Sequence, residues 1–260
     1  MRSIIALFIL GLVAGTSCSE EQYLTGVEAE AAYVDLAYCL AHSDTVDSRS
    51  AAARLRRKVD ALRTLVPRPL RESELDERLY HLDRAGCAFQ DALVSVDIGA
   101  LDLAEIQLDR AVFELQAADA AVFGELYVGS IYDFAASWLA LAATVRDAAA
   151  EEYVDPDCLN YPLAEWKRVA HLRPDPLLYP QLVGDPGTFL AAHGDLQREL
   201  RALTDKHAGG RRVTAGEVAA ANEAFWQLLS LFGTGALRLP SGSATLPTPP
   251  NHSAASGPTR

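Results

Sequence analysis

The fold is decided by residues 72–123, ESELDERLYHLDRAGCAFQDALVSVDIGALDLAEIQLDRAVFELQAADAAVF, in which no proline interrupts two successive apolar repeats. Both repeats alternate steps of four and three residues: Leu75, Leu79, Leu82, Gly86, Phe89, Leu93 and Val96, then Leu101, Ala104, Leu108, Ala111, Leu115, Ala118 and Val122. This spacing is typical of the seam between antiparallel helices with left-handed packing. Gly99 lies between the repeats and suits a tight turn. The stretch therefore predicts a helical hairpin.

Proline placement extends this prediction along the chain, because proline is excluded from helix interiors. The prolines before residue 240 cluster at 67–69 and 156–186. We predict helices at about 21–43, 47–66, 72–98, 100–123, 127–152, 186–207 and 215–233, with an irregular connection at 153–185 that holds a short helix near 163–171. Asp185-Pro186 and the capping box Thr214-x-x-Glu217 are helix starts. The predicted fold is all-α, an antiparallel up-down bundle of about seven main helices with a proline-rich crossover.

The N-terminal residues have the layout of an export signal. Arg2 precedes an apolar run at 4–14 and a stretch of small residues. Eleven apolar residues are too few to span a bilayer, which takes about 20. Gly15-Thr16-Ser17-Cys18 resembles the lipobox of bacterial lipoproteins, in which a lipid is attached to the cysteine and the preceding bond is cut. The resemblance implies a signal peptide at 1–17 and lipidation of Cys18.

The same resemblance implies a location and a partner. Ser19 rather than aspartate follows the cysteine, which implies sorting to the outer membrane of the bacterial cell envelope, facing the periplasm. The partner is then the lipid bilayer, held by more than one acyl chain. Ordinary signal peptidase cleavage before Cys18 would give a soluble secreted protein instead, and an uncleaved anchor is a further alternative. The mature chain is expected to comprise a helical-bundle domain at 18–239 and a disordered tail at 240–260, rich in Pro, Ser and Thr.

The charge of the chain excludes one class of partner. The formal net charge is −12, and nucleic-acid binding needs clustered Lys and Arg to neutralise phosphates. We therefore predict no nucleic-acid partner.

Besides Cys18 the chain has three cysteines, and export would place them where disulfides persist. Cys39 and Cys87 lie at similar depths in the first and third predicted helices, which run parallel in an up-down bundle. A Cys39–Cys87 disulfide is the preferred pairing. Cys158 in the crossover can compete for either partner, and buried free thiols are the alternative. No C-x-x-C motif is present, so neither thioredoxin-like chemistry nor a zinc ribbon is indicated.

No catalytic, cofactor or metal motif is found. The chain lacks H-E-x-x-H, E-x-x-H, G-x-S-x-G, a P-loop and a dinucleotide fingerprint, so no such residue and no cofactor is predicted, and enzymatic activity is left open. His193 lies in an apolar seam. A histidine in such a position is commonly a hydrogen-bonded core residue, and the alternative is a base or ligand that lines a pocket. Tyr132 and Trp138 at helical spacing indicate core, or with His193 the wall of an apolar pocket.

Three functions follow as hypotheses. The first is a non-enzymatic interaction or scaffold module of the bacterial envelope with a protein partner. The second is a helical bundle that binds a small apolar ligand or lipid, and the third is an enzyme using His193 and loop carboxylates. An apolar cavity with converging polar groups would favour the second, and an exposed apolar patch the first. The third requires a carboxylate beside His193 in an open cleft.

Overall fold

The structure, a computed structural model, describes residues 24–65, 71–118, 126–183 and 185–235. The predicted signal peptide at 1–17, Cys18 and the tail at 240–260 lie outside these residues. The described chain is an all-α bundle, as predicted. Its helices are α1 (residues 24–41), α2 (Thr45–Thr64), α3 (Glu72–Asp97), α4 (Leu101–Ala118), α5 (Tyr127–Ser130), α6 (Tyr132–Val145), α7 (Pro156–Val169), α8 (Pro180–Val183), α9 (Pro186–Ala208) and α10 (Ala215–Leu229).

Helices α3 and α4 form the hairpin that the sequence predicts. Gly99 takes φ 75°, which a residue without Cβ adopts at no steric cost, and the Ala100 N–H closes the turn on the Ser95 carbonyl at 2.8 Å. Buried Glu114 of α4 joins the two helices, accepting from Arg84 Nε at 2.5 Å and lying 2.8 Å from His81 Nδ1. The predicted seam of α4 is buried at Ala104, Leu108, Ala111, Leu115 and Ala118.

The prediction of one helix over 127–152 is wrong in two respects. It breaks at Ile131 into α5 and α6, and it ends at Val145. Beyond that point the backbone pairs with a distant segment: Gly216 N–H donates to the Ala150 carbonyl at 3.0 Å, and Val154 N–H to the Val213 carbonyl at 3.0 Å. Since these bonds use groups that a longer helix would need for itself, tertiary contact overrides helix propensity here.

The crossover is also more helical than predicted. A helix of 14 residues, α7, begins at Pro156, where the sequence predicted irregular chain and a short helix further on. Asp155 caps this helix by accepting from the Asp157 N–H at 3.0 Å, and proline is tolerated at the first helical position because its missing N–H would have no partner there. Pro162 lies inside the helix and is buried.

The core is built around aromatic side chains from α5, α6, α7, α9 and α10. Helix α6 packs against α7 and α10, and α9 packs against both α7 and α10. Phe134 lies at its centre, with ring centroids 4.9 Å from Trp166 and 5.9 Å from Phe225. Among the described residues, no helix combines the length and the apolar composition needed to cross a membrane.

Candidate functional site

The predicted Cys39–Cys87 disulfide is not formed. Cys39, Cys87 and Cys158 are all free, with Cys39 buried in α1 while Cys87 and Cys158 are exposed. Helix α3 packs against α2 and α4 and presents Cys87 to the outside, so its sulfur does not meet a thiol in the core. Burial raises the pKa of the Cys39 thiol to about 11, with Asp44 and Asp47 adding to the rise. This thiol therefore stays protonated at neutral pH and is a poor nucleophile.

His193 is a buried core residue, the common case for a histidine in such a seam. Its Nε2 lies 3.3 Å from Arg173 Nη1, and its ring lies 5.3 Å from that of Trp166. Burial and Arg173 both lower the pKa of His193, with a backbone hydrogen bond to Ala170 opposing them. Its charged neighbour is a guanidinium rather than a carboxylate, so the arrangement required of a catalytic base is not met here.

Tyr132 and Trp138 are both buried, and each has a polar partner. The Tyr132 hydroxyl donates to Asp109 Oδ1 at 3.1 Å, and Trp138 Nε1 donates to Asn222 Oδ1 at 3.2 Å. Both partners line a cleft that was not predicted. Tyr132 and Trp138 thus contribute to the cleft indirectly, because each holds in place a polar side chain that lines it.

This four-helix cleft lies between α1, α4, α6 and α10 and has a volume of about 280 Å³. Its space arises because small side chains face one another where larger ones would fill a core. Five alanines contribute to the lining: Ala37, Ala41, Ala142, Ala143 and Ala219.

The side of the cleft formed by α4 carries two carboxylates. Glu105 and Asp109 are one helical turn apart, and Arg146 Nη2 lies 3.5 Å from Glu105 Oε1. Burial raises the pKa of both carboxyl groups, while Arg146 opposes this at Glu105 and the Tyr132 hydroxyl opposes it at Asp109. Two carboxylates against one guanidinium leave this side of the cleft negative.

Helices α1 and α10 contribute aromatic rings to the cleft. Tyr33 and Trp226 are buried in the wall, and His42 stands exposed at the rim immediately after α1. The His42 ring stacks on Tyr38 at a centroid distance of 4.0 Å, and its Nδ1 lies 2.8 Å from the Tyr38 carbonyl oxygen. With Nδ1 donating to that carbonyl, Nε2 of the neutral ring is a hydrogen-bond acceptor.

Several polar groups of the cleft have no partner among the described residues. Trp226 Nε1 is buried without a hydrogen-bond partner, and neither the Tyr33 hydroxyl nor the Asn222 side-chain NH₂ makes a hydrogen bond there. Burial, with Asp109 and Glu30 nearby, raises the pKa of Tyr33, so its hydroxyl stays neutral. A buried polar group without a partner costs about 1–3 kcal/mol, which a bound molecule could offset.

A second concavity is less suited to a ligand. A groove of about 290 Å³ is formed by the crossover and α9, with Pro174, Pro176 and Phe189 in its wall. Arg173 Nη1 donates to the Leu172 carbonyl at 2.6 Å, and the Tyr179 hydroxyl donates to Glu30. The groove therefore offers mainly apolar surface, with fewer polar side chains in its lining than the four-helix cleft has.

Neither a cluster of metal ligands among the described residues nor similarity to known proteins indicates a further site. Within the ranges that the structure describes, no three or more His, Cys, Asp or Glu side chains are grouped to hold a metal ion. Comparison of the chain with protein-family models, with curated proteins and with solved structures gives no match in any of the three.

Proposed function

We propose that this protein binds a small ligand in the four-helix cleft. One observation carries the proposal: the cleft of about 280 Å³ is walled by alanines and aromatic rings, and Trp226 in its lining has a buried Nε1 without a hydrogen-bond partner among the described residues. Ligand sites in helical bundles lie between facing helices and combine apolar walls with a few polar groups. The volume lies near the small end of the range of roughly 300–1,000 Å³ for such sites, which favours a ligand with one ring or a short aliphatic body.

Filling the cleft tests this proposal. Ala219 and Ala220 are both exposed on α10, but only Ala219 lines the cleft, so Ala220→Leu is the matched control for Ala219→Leu. The probes are phenylethyl, cyclohexylethyl and indolylethyl compounds, each prepared as an amine, an alcohol and a carboxylate. We expect at least one compound to bind the wild type. Ala219→Leu should weaken the binding of that compound by about tenfold or more, and Ala220→Leu should leave its affinity unchanged.

Binding is measured by saturation-transfer NMR and calorimetry. The proposal fails if no compound binds the wild type at about 10 mM, a concentration that detects affinities as weak as about −3 kcal/mol. It also fails if the two leucine variants bind every compound equally, because the ligand would then lie elsewhere.

A second candidate function rests on a different observation. Large apolar side chains are 44–71% exposed along the hairpin of α3 and α4, and we call these five residues the hairpin patch: Val94, Ile98, Leu103, Ile106 and Phe113. Leu103, Ile106 and Phe113 are spaced to share one face of α4. Because exposed apolar patches mark interaction sites, the patch favours a protein partner. The export signal and Cys18 support an anchored module of the bacterial envelope, facing the periplasm.

Crosslinking in intact cells followed by mass spectrometry of the envelope tests this candidate. We expect an acylated Cys18 at the mature N-terminus and crosslinks between the hairpin patch and one partner. The double variant Ile106→Lys, Phe113→Lys should lose these crosslinks, whereas Leu177→Lys, which changes an exposed leucine of the crossover, should keep them. An unmodified Cys18 would rule out the anchor, and crosslinks that survive the double variant would rule out the patch.

A further inference from the structure

We infer that the ligand of the four-helix cleft is a small organic cation, an amine on an apolar body. This inference rests on the proposed function and names the chemistry of the same site. The geometry behind it is the presence of an uncompensated carboxylate, aromatic rings and alanine side chains in the lining of one cleft.

Asp109 is the charge that the cleft leaves without a counterion. The Glu105 carboxylate faces the Arg146 guanidinium at 3.5 Å, whereas Asp109 forms no salt bridge with any described residue. Its hydrogen bond comes from the neutral Tyr132 hydroxyl at 3.1 Å. A ligand that covers Asp109 removes water from the carboxylate, and that removal is costly unless the ligand supplies positive charge.

The carboxylates of the cleft fit a donor group on the ligand, whereas Trp226 Nε1 and the Asn222 NH₂ are donors that an oxygen on the ligand body could meet. An ionised carboxylate only accepts, and His42 Nε2 adds a further acceptor at the rim when Nδ1 donates to Tyr38. A primary ammonium group has three donors and no acceptor. An anionic ligand would face Glu105 and Asp109 together, with Arg146 already engaged by Glu105.

The walls accommodate both parts of such a ligand. Tyr33 and Trp226 are buried aromatic residues in the lining of the cleft, and a cation within about 6 Å of an aromatic centroid is attracted to the ring face. The alanine methyl groups and Leu139 provide apolar surface for the body of the ligand. The Tyr33 hydroxyl can accept from the ammonium group or donate to an oxygen on the ligand.

The matched compounds defined above test this inference. For one apolar body, we expect the amine to bind the wild type at least about tenfold tighter than the alcohol, and the carboxylate to bind more weakly still. Asp109→Asn should lower the affinity for the amine to that for the alcohol, while the affinity for the alcohol stays the same. Glu223→Gln removes an exposed charge from α10 outside the cleft and should preserve the preference for the amine.

Salt provides a readout that needs no variant. Raising the ionic strength should weaken the binding of the amine to the wild type and leave the binding of the alcohol unchanged, because only the amine is held by charge. If amine and alcohol bind equally, or if Asp109→Asn keeps the preference, the cation inference is overturned while binding in the cleft still stands. If no compound binds, both proposals fail.

Discussion

Between pH 4.5 and pH 7, the wild-type protein is expected to lose about 3 kcal/mol of unfolding free energy relative to Glu30→Gln. Glu30 is a fully buried carboxyl group of α1, and its burial raises its pKa from 4.5 to about 7. Hydrogen bonds from the Tyr179 hydroxyl to Oε2 at 2.5 Å and from the Gly129 N–H to Oε1 at 3.0 Å oppose this rise without cancelling it.

The sign follows from proton binding in the two states. Above pH 4.5 the unfolded chain releases the Glu30 proton, whereas the folded protein keeps it up to about pH 7. Stability from this group is therefore complete below pH 4.5 and is lost as the pH rises through 7, at about 1.4 kcal/mol for each pKa unit. Glutamine does not titrate, so the loss is absent from the variant, whatever constant cost the amide adds.

Urea unfolding of both proteins from pH 4 to pH 8 measures the difference, in which all other titrating groups cancel. Glu28→Gln removes from the same helix an exposed carboxylate that pairs with Lys58, and as the control it should not reproduce the loss of about 3 kcal/mol. Parallel stability curves for the wild type and Glu30→Gln would show that the carboxyl group does not titrate in this range.

Asp35→Ala is expected to destabilise the fold by about 3 kcal/mol. Asp35 is completely buried in α1, where it accepts from Arg54 Nη2 of α2 at 3.0 Å and from both the backbone N–H and the hydroxyl of Thr234. Gly233 permits this approach, since a Cβ there would lie 2.8 Å from Asp35 Oδ1. The alanine removes the charge partner of Arg54 and the acceptors that hold residues 233–234 against α1.

The size of the effect depends on how well water replaces the carboxylate. The Arg54 side chain is 31% exposed, so part of its charge is solvated in the variant, and we place the loss at the lower end of the roughly 3–5 kcal/mol typical of a broken buried pair. Asp60→Ala is the control, because Asp60 lies 4.0 Å from Arg56 in an exposed pair that contributes little. Denaturant unfolding that shows similar stabilities for the two variants would contradict a structural role for Asp35.

Local sequence patterns were sufficient to predict the helices whose apolar face is continuous. Helix α9 buries an apolar face that repeats every three to four residues: Phe189, His193, Leu196, Leu200 and Leu203. In α4 the predicted seam is buried from Ala104 to Ala118, while Leu101 is partly exposed. By contrast, the end of α6 depends on backbone bonds between 150–154 and 213–216, and no residue near Val145 signals them. Such long-range pairing is not encoded in the periodicity of one segment.

The candidate site was missed because its chemistry is spread over the chain. Its alanines belong to α1, α6 and α10, and alanine in a seam predicts close helix packing, not space. Asp109 and Asn222 have the sequence context of ordinary helix-surface residues. Tyr132 and Trp138 are buried, and their polar partners become apparent only when the four helices are assembled.

Methyl NMR on protein labelled at alanine with carbon-13 is the most direct test of ligand binding in the four-helix cleft, because five alanines line it. Titration with the tightest compound of the matched set should shift the methyl signals of Ala37, Ala142 and Ala219. The signals of Ala85 and Ala92, buried in α3 away from the cleft, should not move. Saturation of binding with shifts confined to alanines outside the cleft, or with no alanine shift, would contradict the proposed site.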